Sequence, residues 1–425
     1  MSKVLRTAQL GDLATITMGQ SPDSAAVNGA EVGLPFLQGC AEFGARFPQP
    51  RFHCSPPLRV AKSGSILISV RAPVGTTNRA DQDYCIGRGL GAVLAKPGVA
   101  DKVFLLHAID ANLEFLHRRS QGSTFLAIGS KELSSLPVPA PEFAVQRRIA
   151  EILSTLDEAI EQTEALIAKH QQIKAGLMHD LFTRGVTPDG HLRPTREQAP
   201  DLYKESPLGW IPKEWEVVTT EEKVDVIDPQ PDHRTPPEML DGYPYVGIGD
   251  VMPSGELDFT HARKVAAEAY RRQLQSFEIH PGAFIFGKIG TLGQPTRIPH
   301  ERCFAVSANV VLLTTSIKND ADFVFWIYSS PFIDGQVADA TNTTSQPALG
   351  IQRIRKFHIP WPTRLEERSD IALRLKSITE TIQADERTRE KLRQQKHGLM
   401  HDLLTGRVRV KAERYDYPGK AEVER

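Results

Sequence analysis

Lys288 closes the segment Gly282-Ala-Phe-Ile-Phe-Gly287-Lys288-Ile289, which comes within one residue of a phosphate-binding loop. Such a loop needs a final Ser or Thr whose hydroxyl reaches magnesium. Here that residue is isoleucine, and Ala-Phe-Ile-Phe reads as a buried strand. Gly87-Arg-Gly-Leu-Gly91 spaces its glycines like a dinucleotide loop but lacks a following helix and a later acidic ribose ligand. A turn, or a close approach of backbone between strands, accounts for it better. Carboxylates at Asp201, Glu221 and Glu222 with Lys223 mimic a nuclease metal site, but begin in an unpatterned stretch and have no counterpart elsewhere in the chain. His179-Asp180 and His401-Asp402 pair an acid with a base on helical segments that bring no nucleophile nearby. There is no Asn-Pro-Pro-aromatic or Asp-Pro-Pro-aromatic tetrapeptide, HExxH or GxSxG. No complete catalytic set is visible.

The elements around these residues are more informative. GLMHDLFTRGV at Gly176–Val186 recurs as GLMHDLLTGRV at Gly398–Val408, an offset of 222 residues. That is half the chain, so one large unit is duplicated rather than a short repeat stacked. Ile149, Leu153, Leu156, Ile160, Thr163, Ile167, His170, Lys174, Leu177 and Leu181 recur at steps of four and three. This is the 3.5-residue period of a coiled coil. The second copy runs Ile371, Leu375, Ile378, Ile382, Asp385, Arg389, Leu392, Lys396, Leu399 and Leu403, polar in its middle. Each helix spans about 40 residues, on the order of 60 Å, and the two are expected to pair antiparallel as a spacer. The polar residues either face water or fix register.

Strand-like sequence precedes each helix. Gly64-Ser-Ile-Leu-Ile matches Gly282-Ala-Phe-Ile-Phe, and Ile86–Leu94 matches Phe304–Leu312, both at offset 218. LPVPAP at Leu136–Pro141 and HIPWP at His358–Pro362 end each strand region and delay the helix. The order read from the chain is a domain over 1–140, a helix over 141–186, a linker over 187–212, a domain over 213–362, a helix over 363–408 and a tail over 409–425. The expected class is α+β: two mixed α/β domains separated by two long antiparallel helices, with internal pseudo-twofold duplication.

Composition narrows the class further. With 425 residues and 40% hydrophobic content, the chain can form two or three cores. No apolar run reaches bilayer length and the start lacks a signal-peptide pattern, so a cytoplasmic location is expected. Cys40, Cys54, Cys85 and Cys303 show no CxxC spacing and read as free thiols, with no metal site. The formal charge of −1 excludes a uniformly basic surface, but is unevenly spread. Residues 1–140 hold 14 basic against 10 acidic side chains, and residues 221–360 hold 13 against 17.

Paired GLMHDL helices, the Pro-Gly-x-Phe-Ile-Phe and Ser-Gly-Ser-Ile-Leu strands, and Ser206-Pro-Leu-Gly-Trp-Ile-Pro-Lys-Glu-Trp215 together resemble the specificity subunits of type I restriction-modification systems, from about residue 6 to 408. The resemblance implies a non-catalytic chain whose two target-recognition domains each read half of a bipartite site in double-stranded DNA, while the helices set the unspecified gap. It also implies two modification subunits that methylate adenine N6 and two ATP-dependent restriction subunits. S-adenosylmethionine, ATP and magnesium then belong to those partners, and none to this chain. Arg71, Arg79, Arg88, Ser123 and Thr124 in the first domain, and Lys288, Arg297, Arg302, Thr343 and Thr344 in the second, have the side chains that base edges or phosphates require. Leu177, Met178, Leu181, Leu399, Met400 and Leu403 form repeated faces suited either to two identical partners or to the chain's own core. A duplicated scaffold or adaptor that binds no DNA is the competing reading.

Overall fold

The computed structural model describes residues 5–120, 127–231, 234–252, 254–301, 303–341 and 348–411. It divides into two compact units, Met1–Ala165 with Glu386–Arg425, and Leu166–Asp385. The units are therefore not the linear succession read from the sequence: each takes one globular domain and a part of both long helices.

In the first unit, strands Ala14–Met18, Leu90–Ala95, Ile66–Ser69 and Thr77–Arg79 form an antiparallel sheet in that order. In the second, Asp225–Ile227, Val310–Thr314, Phe284–Gly287 and Gly293–Arg297 repeat the order and pairing. Strand periodicity explains the central pair. Ile66 and Ile68 enter one core while Leu67 enters another, and Phe284 and Phe286 are split from Ile285 in the same way. Both faces are covered, so these short runs are apolar throughout. Gly64 and Gly282, with φ of 82° and 91°, turn the chain into these strands; they are not phosphate-loop glycines.

Two long helices, Phe143–Thr183 and Leu365–Thr405, each contain 41 residues. The repeated motif ends both: Gly185 and Gly406, with φ of 65° and 76°, follow the last helical turn, where a left-handed residue terminates a helix. At the start of each helix a buried polar side chain ties it to the adjacent domain. Gln146 accepts from the Asp101 amide and donates to the Val99 and Pro141 carbonyls. Its counterpart Arg368 donates to Asp320 and to the Pro362 and Thr363 carbonyls.

Three of the polar seam residues, His170, Asp385 and Lys396, are paired, whereas Arg389 Nε is buried without a hydrogen bond among the described residues. In the first unit Lys396 Nζ lies 2.5 Å from Asp157 and Arg393 contacts Glu164. One index rises as the other falls, so these helix segments run antiparallel. In the second unit His170 Nδ1 lies 2.8 Å from Asp385. These pairs give the seam a register that a stripe of leucines would leave free to slide.

The stretch read as a linker is ordered. Tyr203–Ser206 and Gly209–Pro212 form a hairpin, and Trp215 is fully buried just after it. Arg193, 5% exposed at its side chain, meets Glu367 at 2.5 Å and Glu214 at 2.7 Å. Glu367, 1% exposed, also accepts from the Val186 amide and Trp215 Nε1. One buried charge cluster holds this segment, without the apolar periodicity that a sequence search detects. Among the described residues, no helix is long and apolar enough to cross a membrane.

Candidate nucleic-acid interface

Arg88 projects from the turn Gly87-Arg88-Gly89 and is exposed. Four backbone segments meet under it: Gln20 N donates to the Ile86 carbonyl at 3.0 Å, Gly87 N to Leu37 at 2.8 Å, and Val70 N to Gly89 at 2.9 Å. Glycine is needed at Gly89 because a Cβ there would come within 2.6 Å of the Gln38 carbonyl, and at Gly87 one would lie 3.1 Å from Gln38 Cα. The glycine-rich turn is thus the close approach between strands that its lack of a following helix suggests. Arg71, next to Val70, is also exposed, as are Gln20 and Gln38. No hydrogen-bond or ion-pair partner occupies the Arg71 or Arg88 guanidinium among the described residues. Planar, unspent donors of this kind can form bidentate contacts to a purine edge or a phosphate.

The other arginine and lysine candidates are committed internally. Arg79, at the end of its strand, lies 3.8 Å from Asp157 on the first long helix. Lys288 is 4% exposed and pairs with Asp228 at 2.9 Å. Arg297 donates to the Gly282 carbonyl at 2.9 Å, meets Asp322 at 2.6 Å, and lies over the Phe325 ring at 4.1 Å. Burial pulls its pKa down. Each of these three cations is paired with a carboxylate of its own unit, Lys288 in a buried site and Arg79 and Arg297 in partly exposed ones. Ser123, Thr124, Arg302, Thr343 and Thr344 lie outside the described residues. Gln20 and Gln38 were not among the residues singled out from sequence; their place beside glycine turns was the available signal.

Among the apolar candidates, Leu181 and Leu403 are core residues, 0% and 3% exposed, so they cannot dock a partner. Leu177 and Met178, and Leu399 and Met400, are half-buried at the margins of the two cores. Met178, His179, Phe182 and Thr183 line a notch of about 230 Å³ with Ser330, Pro331 and Phe332.

A titratable cluster sits where the first domain meets its helices. His107, 1% exposed, has Nε2 3.5 Å from Asp157, and neither ring nitrogen forms a hydrogen bond among the described residues. Burial pulls its pKa down to about 4. Burial likewise pushes Asp110 up to about 6, against a hydrogen bond from Thr77. At the corresponding place in the second unit Trp326 replaces the histidine, and Lys174 sits 5.1 Å from its ring centroid. The first cluster is a buried electrostatic joint, remote in kind from a nucleophile–base pair. Among the described residues, no group of three or more His, Cys, Asp or Glu is placed to hold a metal.

The family model "Type I restriction modification DNA specificity domain" matches residues 58–171. Two relatives come from Methanocaldococcus jannaschii. The MjaX type I restriction enzyme specificity subunit is 39% identical over 171 residues, 40% of this chain and 40% of that protein. The MjaVIII specificity subunit is 24% identical over 344 residues, 74% of this chain and 72% of that protein. Over these stretches the chain is similar to type I restriction-modification specificity subunits. The match thus spans about two fifths of the first relative's length and nearly three quarters of the second's. The S subunit from M. genitalium has the same fold, with a TM-score of 0.59 at 15% identity, covering 94% of this chain and 96% of that one. The specificity-subunit fold accounts for two α+β domains with a long helix after each.

Proposed function

We propose that this chain reads a bipartite DNA sequence, one half-site per globular domain, and carries that specificity to a type I restriction-modification complex. The carrying observation is the duplicated sheet frame, which in the first domain ends in exposed, unspent Arg71 and Arg88 above a glycine turn. Duplicated readers suit two half-sites. The long helices would set the unspecified gap, and the half-buried faces around Met178 and Met400 would dock modification subunits. Methyl transfer to adenine N6 from S-adenosylmethionine, and ATP- and magnesium-dependent restriction, would then reside on the partners. Two copies of each are expected from the duplication.

Co-expression with the system's modification subunit tests the reading. A stable complex should bind duplex DNA with an affinity that falls steeply as salt rises. A complex that forms but binds DNA no better than the modification subunit alone would leave only a scaffold.

A further inference from the structure

Both domains use the same backbone bonds around the turn that carries Arg88. Val70 N donates to the Gly89 carbonyl at 2.9 Å, and Lys288 N to Asn309 at 2.9 Å. Gly87 N donates to Leu37 at 2.8 Å, and Ser307 N to Val246 at 2.7 Å. Ile128 N donates to Val70 at 3.0 Å, and Leu349 N to Lys288 at 2.8 Å. Bridges Arg71–Ala127 and Ile289–Ala348 complete the match. These bonds align the two frames residue by residue. Arg71 corresponds to Ile289, Arg88 to Ala308, and Gln38 to Gly247; strand pairing moves the offset of the Ile86–Leu94 segment to 220, from the 218 matched in sequence. The frame is kept while its outward side chains are exchanged.

That pattern separates two kinds of DNA contact. A phosphate contact serves any sequence, so duplicated domains gain by retaining it. A base-edge contact must change when two half-sites differ. Arg71 and Arg88 are exposed and unspent; Ile289, at the corresponding position, is 49% exposed and has no polar atom to offer.

We propose that Arg71 and Arg88 read guanine in the half-site of the first domain, while the second domain, with Ile289 and Ala308 at those positions, reads its half-site without an arginine there. Guanine is the base whose O6 and N7 acceptors fit the two-pronged guanidinium. The inference rests on the bipartite DNA-reading function proposed above and names its specificity residues.

The test is N6-methyladenine sequencing of cells expressing the full chain with its modification subunit, as wild type, Arg88→Ala, Arg71→Ala and Ile289→Arg. The wild type should give a gapped motif with guanine in one half. Arg88→Ala or Arg71→Ala should relax a guanine position in that half by roughly 10- to 100-fold, leaving the other half and the gap unchanged. Ile289→Arg should alter only the opposite half. The untouched half reports that each variant is folded. Uniformly weaker methylation with no position relaxed would make both arginines phosphate contacts and overturn the proposal, as would an unchanged motif. If the wild type shows no gapped motif, the parent reading falls, and this one with it.

Discussion

Glu367→Gln should destabilise the second unit more than any surface substitution. Glu367 is 1% exposed at its side chain and faces Arg193, which is 5% exposed. The amide can still accept from Val186 N and Trp215 Nε1, but its NH₂ would face the guanidinium donor to donor. Besides the Arg184 carbonyl, Arg193 would keep one carboxylate partner, Glu214, itself 66% exposed. Stranding one member of a buried pair costs about 3–5 kcal/mol. At about 2–4 °C per kcal/mol for a unit of this size, the transition should fall by roughly 6–20 °C. Calorimetry of the full chain should show that transition moving down while the one from the first unit holds. Removing Arg193 as well should cost much less than the sum of the two single changes. A shift below about 3 °C, or full additivity, would refute the view that this cluster holds residues 187–215 in place.

Other predictions concern the first unit and the partners. His107 stays neutral in the folded chain down to about pH 4, whereas unfolded histidine takes a proton near 6.5, so its contribution is lost as pH falls from 6.5 toward 4. Asp110, protonated when folded up to about pH 6, has the opposite dependence and loses its contribution as pH rises through 6. The two nearly offset, so Asp110→Asn should expose the His107 dependence: the first unit should lose up to about 3 kcal/mol between pH 6.5 and 4, and a flat denaturation profile would contradict this. Inserting four residues near Arg389 lengthens the second helix by about 6 Å, and the methylation motif should widen its gap without changing either half. Met178→Glu together with Met400→Glu should reduce co-purification of the modification subunit while thermal unfolding stays near wild type.

Duplication, helix length and strand positions were legible because they depend on local periodicity. Ile149, Leu153, Ile371 and Leu375, taken from the 3.5-residue step, are all buried. The polar middle of the second helix was legible only as a choice, and the partners His170 and Asp157 decided it toward register. Site residues were harder. Lys288 and Arg297 have the chemistry of DNA readers, but Asp228 and Asp322 neutralise them, and these partners are 60 and 25 residues away in sequence, beyond any local pattern. The segment 187–212 lacks periodicity because a buried ion pair and irregularly spaced apolar anchors, Leu192, Tyr203 and Ile211, hold it in place of a regular stripe. The exposed turn that carries Arg88 was legible through its flanking glycines, whose spacing marks a crowded backbone.

If this chain reads DNA as proposed, it supplies a gapped DNA specificity to a methyltransferase that lacks one. N6-methyladenine sequencing of cells expressing the modification subunit with and without this chain tests it most directly. Two short specified blocks separated by a fixed unspecified gap, methylated only when the chain is present, are expected. A contiguous motif, or the same methylation in its absence, would contradict it.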